Sequence, residues 1–226
     1  MHDAPAAHPR LQHHFDNLEQ QKESSTLGMW TFLLTEIMFF GGLFLLYTVY
    51  RVQYPEAFAV ASRQLDIALG LGNTVILIAS SLTMALGVHT AALGKKRATA
   101  SWLLATVLLG SIFLGVKVVE YQHKFEHHLV PGAGRFQPEH IEDVHKHAAE
   151  IYFSLYFAMT GLHAIHMVLG IPILLVLAFM AQRGAFSRSY YTPVELFGLY
   201  WHFVDIIWIF LFPLLYLIDP ATGPRH

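Results

Sequence analysis

Apolar residues fall into five long blocks separated by polar breaks. They cover about Leu27–Tyr50, Leu69–Leu93, Thr99–Val119, Glu150–Met180 and Val194–Ile218. Each reaches the roughly 20 residues that a helix needs to cross hydrocarbon. Lipid offers no partners to backbone N–H and C=O groups, so a spanning segment must close its own hydrogen bonds. The strict alternation of a membrane-barrel strand is missing. The pattern predicts an all-α, polytopic membrane protein, a bundle of five transmembrane helices.

The polar stretches divide the rest. Residues 1–26 read as a polar N-terminal tail with a short surface helix over Leu11–Glu23, and with no apolar core of a signal peptide. Residues 27–219 form the five-helix domain, and 220–226 a short C-terminal tail. The one long loop, "EYQHKFEHHLVPGAGRFQPEHIEDVHKHAAE", joins the third and fourth spans. Lys and Arg divide almost evenly between the two sides. The densest group is the "GKKRATA" turn, and short loops weigh most in the positive-inside rule. That turn places the N-terminus in the cytoplasm and the C-terminus outside.

Composition supports the membrane reading. Hydrophobic residues make up 54% and charged residues only 13%, against about 25% charged in soluble domains. The net charge of −2 gives no footprint for nucleic acid. With no cysteine, disulfides, thiolate metal sites and covalent haem attachment through CxxCH are excluded. In the second span Ala79, Thr83, Gly87 and Ala91 recur every four residues, a small-residue face for close helix approach. Pro172 and Pro213 stand inside the fourth and fifth spans.

Candidate chemistry lies in the polar residues of the spans. Glu36 sits about nine residues into the first helix, roughly 13 Å deep at about 1.5 Å per residue. Asp205 lies at a similar depth in the fifth helix, which runs the same way, and His202 is one turn away. His163 and His166 come from the fourth helix. A carboxylate at mid-membrane costs about 2.5–3.5 kcal/mol on insertion scales, so such groups face protein or water and have partners. Two readings stay open: a hydrogen-bonded lock between helices, or a protonatable group that relays protons. In the long loop His123, His127 and His128 form an HxxxHH pattern, but a second such box is missing, and it reads as a solvated loop. An autonomous His-dependent membrane metalloenzyme is the contrasting class. No phosphate loop, GxSxG or HExxH is present.

Five segments, in order, resemble subunit III of the haem–copper terminal oxidases, the cytochrome c and quinol oxidase family: "GMWTFLLTEIMFF" around Glu36, "NTVILIASSLTM", "GVKVVEY" ending in Glu120 and Tyr121, "TGLHAIHMVLG" with His163 and His166, and "YWHFVDIIWIFLFPLLYL" with His202 and Asp205. The resemblance implies an accessory subunit without a redox centre. It would flank catalytic subunit I and other oxidase subunits in a bacterial plasma membrane, while dioxygen is reduced to water. Haem and copper are expected only in the partner subunits, and no metal or other cofactor is expected here beyond bound phospholipid. Glu36, His202 and Asp205 would form a buried proton-uptake network, with Glu120, His163 and His166 as further motif residues. Many members have seven helices, the first two forming an arm of a lipid-holding V. The five spans here match the short bacterial form. A related component of a nitric oxide reductase complex is the alternative.

Overall fold

The computed structural model describes residues 11–132, 136 and 141–218. Six helices follow in order: α1 (Leu18–Gln53), α2 (Pro55–Ser62), α3 (Ile67–Ala92), α4 (Lys96–Glu126), α5 (Asp143–Gln182) and α6 (Thr192–Tyr216). All but α2 are long and apolar enough to cross a membrane, so the expected five-helix, all-α bundle is present. The expected tail 220–226 and the first ten residues lie outside the described residues.

Helix α1 begins at Leu18, earlier than the apolar pattern places it. Asn17 accepts the Gln20 backbone N–H at 2.8 Å, which satisfies one of the orphan donors at a helix start. Gln20 reaches back to the Asp16 N–H at 2.7 Å. Nothing between Glu23 and Leu27 stops the helix: Ser25 and Thr31 bond back to carbonyls one turn earlier. Residues 11–17 are therefore turn and coil, and the expected surface helix is the first part of α1.

Helix α2 falls in the break between the first two apolar blocks. Pro55 takes the first helical position, where its missing N–H costs nothing. Phe58 and Ala61 are wholly buried, and the Phe58 ring packs against Tyr47 and Tyr152 at 5.5 and 5.3 Å. The helix lids one end of the bundle. The other end carries two tight turns. At Gly94 (φ 70°) the Lys95 N–H bonds Thr90 O and the Gly94 N–H bonds Ala91 O. At Gly184 (φ 73°) Ala185 and Gly184 repeat that pattern on Met180 and Ala181. Both are Schellman closures, which need a left-handed residue and favour glycine.

Helix α6 is the most enclosed span and α1 the least. Trp201 and Trp208 on α6 are wholly buried. A Cβ at Gly110 or Gly170 would meet the Trp201 ring at 3.0 Å, so α4 and α5 both close on that indole because they carry no side chain there. The Trp201 Nε1–H donates to Ser80 of α3 at 2.9 Å. The small-residue face of α3 works as expected against α4: Thr83 and Thr106 share a hydrogen bond at 2.9 Å, and Gly87 faces Leu103. Leu34, Met38, Leu45, Val168 and Leu169 are exposed, as lipid-facing residues are.

The last carbonyls of α6 have no helical donors of their own. Tyr47 donates to Leu214 O at 2.5 Å and Tyr152 to Leu215 O at 2.7 Å. The Tyr152 side chain is fully buried. Tyr152→Phe is expected to lower stability by about 1–3 kcal/mol, the cost of an orphaned buried acceptor. Thermal melting in detergent checks this; an unchanged midpoint would remove the capping role.

Candidate functional site

Glu36 projects from α1 onto α5. Its Oε2 lies 3.1 Å from Nε2 of His166, with side chains 19% and 12% exposed respectively. The other ring nitrogen, Nδ1, is 2.9 Å from the Leu162 carbonyl. A carbonyl only accepts, so Nδ1 carries a hydrogen. Nε2 and Oε2 then share one proton. It rests on Glu36 beside a neutral imidazole, or on His166 as an imidazolium beside a carboxylate. Phe40 packs on the His166 ring at 5.7 Å, and Tyr200 donates to the His166 carbonyl at 2.9 Å. Beside this pair an apolar groove of about 510 Å³ runs between α1 and α6, walled by Trp30, Leu33, Phe40, Phe44, Phe203 and Phe210.

His202 and Asp205 point elsewhere. His202 Nδ1 lies 2.7 Å from Ser81 Oγ on α3. Ser81 also faces Asp205, yet neither Asp205 oxygen reaches a described group in hydrogen-bond geometry. His163 is wholly buried between Phe113 and Trp208, and both ring nitrogens lack a described partner. Equal depth therefore does not bring Glu36, His202 and Asp205 into contact. Glu36 meets α5, while His202 meets α3.

A third polar group joins α4, α5 and α6 toward the α2 end. Lys117 Nζ donates to Glu120 Oε2 at 2.8 Å and to the Tyr216 hydroxyl at 2.9 Å. The Tyr156 and Tyr216 hydroxyls donate to Glu120 Oε1 at 2.7 and 2.5 Å. Lys117 and Glu120 are each only 3% exposed. The ammonium also sits 4.7 Å from the Trp208 ring centre, a favourable position over an indole face. One turn on, buried Lys124 donates to the Gln64 carbonyl before α3. Glu120 stands out in the segment "GVKVVEY", and Lys117 lies in the same segment three residues earlier. The signal was there: Lys and Glu three apart share one face of a helix.

Comparison with known proteins decides the family. A family model described as "Cytochrome c oxidase subunit III" matches residues 135–219. The "Cytochrome c oxidase subunit 3" of Thermostichus vulcanus is 30% identical over 90% of this chain and 92% of its own length. That of Corynebacterium diphtheriae is 32% identical over 86% and 88%. The chain belongs to the cytochrome c oxidase subunit III family. A "Probable quinol oxidase subunit 3" of Staphylococcus aureus is also similar, 27% identical over 90% of this chain and 93% of its own length. Subunit III relatives thus carry both donor names.

Within this chain, the family-model match spans α5 and α6 and so contains His163, His166, His202 and Asp205. Glu36 and Glu120 lie before it, on α1 and α4. The pair Glu36–His166 therefore bridges the two parts of the chain, and the Lys117–Glu120 group does the same through Tyr156 and Tyr216.

Proposed function

We propose that this subunit III is the non-redox accessory subunit of a bacterial haem–copper terminal oxidase. It lies beside catalytic subunit I in the plasma membrane, N-terminus inside and C-terminus outside. It supports proton uptake and the durability of that catalytic subunit. Haem and copper reside in the partners, where dioxygen is reduced to water. The apolar groove between α1 and α6 suits a phospholipid acyl chain.

The observation that carries this reading is the 3.1 Å contact between Glu36 Oε2 and His166 Nε2, made by the least enclosed helix. A protonatable pair at the bundle's edge can exchange protons with a neighbour more readily than one sealed in its core. His202, which also lines the groove between α1 and α6, and Asp205 extend the set of intramembrane polar groups.

Glu36→Gln tests the reading in the assembled oxidase. A glutamine amide donates to His166 Nε2 and keeps the hydrogen bond, but cannot exchange the proton. Assembly, haem spectra and melting are expected to stay as in the wild type, while turnover, pumping or the number of turnovers before inactivation falls modestly. Wild-type values in all three would remove Glu36 from the proton-handling role. Haem binding or oxygen reduction by the purified chain alone would overturn the accessory assignment itself.

A further inference from the structure

At the end of α4, His123 and His127 stand one turn apart, and both are exposed. Their Nε2 atoms lie 3.0 Å from each other, with ring centres 4.2 Å apart and planes at 65°. The two Nε2 atoms therefore lie side by side at the exposed end of the helix. Two imidazoles bound cis to one ion at about 2.0–2.1 Å place their nitrogens about 2.9–3.4 Å apart, from square to tetrahedral angles. The separation falls in that range before any ion is present.

We propose that His123 and His127 form a binding site for a divalent late-transition ion of the zinc class. Without metal, one Nε2–H donates to the other Nε2. On binding, the donor ring changes tautomer, its hydrogen moving through water from Nε2 to Nδ1, and the ion takes the Nε2 lone pairs of two neutral imidazoles. An i, i+4 histidine pair on one helix face is a recurrent way to hold zinc. The segment His123–His127 has the H-x-x-E-H spacing, with Glu126 exposed beside the pair. Lys124, which would repel a cation, is turned inward and donates to Gln64 O.

The backbone holds the pair in place. The His128 N–H bonds Phe125 O and the Leu129 N–H bonds Lys124 O, closing the helix end with His128 at φ 53°. His127 therefore caps a regular turn. Among the described residues no set of three His, Asp or Glu side chains converges as ligands. Water fills the remaining coordination positions, which makes this a surface chelate rather than a hydrolytic centre. Bound metal would clip the last turn of α4 beyond Glu120 and Lys124.

The test uses the full-length chain in detergent, titrated calorimetrically with ZnCl2 after chelator treatment. A parallel Cu2+ titration is read by electron paramagnetic resonance. One saturable equivalent is expected, with Cu2+ showing coupling to two nitrogens. His123→Gln and His127→Ala should each weaken Zn2+ binding by more than about tenfold. Both positions are exposed, so metal-free melting should not move. His13→Ala/His14→Ala, which alters the N-terminal pair, should leave this equivalent intact. Uptake retained by both single variants, or lost in the N-terminal variant instead, overturns the proposal.

Discussion

Lys117→Met is expected to lower stability by about 3–5 kcal/mol, the cost of leaving one member of a buried ion pair without its partner. The substitution strips Glu120 of the cation bonded to it and, among the described residues, leaves the carboxylate held by the Tyr156 and Tyr216 hydroxyls. It also empties the position over Trp208. The damage comes from the uncompensated charge more than from the lost attraction, because a buried pair roughly breaks even against apolar residues of the same size. The double variant Lys117→Met/Glu120→Gln should therefore recover much of the loss: a neutral amide can still accept from both tyrosines. Melting in detergent and the amount of subunit incorporated into membranes would be measured for both singles and the double. Additive losses, with the double worse than either single, would mean the pair is not the energetic unit described here.

Trp201→Ala should cost about 3 kcal/mol. Large-to-small core substitutions of this kind cost about 3–5 kcal/mol in water-soluble cores. In lipid the transfer of apolar surface out of water contributes little to helix association, leaving lost packing as the main penalty. Here that packing is extensive, because one indole contacts Gly110 of α4 and Gly170 of α5 and donates to Ser80 of α3. Trp201→Phe should be milder, since the ring largely refills the space and only the Nε1–H bond is lost. Thermal inactivation of the purified complex reads both. Equal losses for Ala and Phe would mean that the Ser80 bond, not the fill, holds the helices together.

The apolar blocks and the small-residue face of α3 were legible in the sequence because both follow from local spacing. Length and composition decide whether a segment can cross lipid, and residues four apart share a helix face whatever surrounds them. The starts of α1 and α2 were less legible. Asn17, Gln20 and Pro55 are start signals, but hydropathy alone passes over them.

Residue depth could likewise be counted from the sequence, and it put Glu36, His202 and Asp205 at related levels. Which way each side chain turns about its helix axis is not a property of the level. That depends on how α1, α3, α5 and α6 pack, and packing turned Glu36 to His166 and His202 to Ser81. The same holds for Lys117, a charge near a helix end by sequence. Only the convergence of α4, α5 and α6 gives it Glu120, Tyr156 and Tyr216 within reach of one ammonium. The sequence by itself determined which segments enter the membrane, because the solvent tests each segment alone. The tertiary structure decided which polar groups meet, because a hydrogen bond needs two atoms within about 3 Å, and that distance is set by neighbours far apart in the chain.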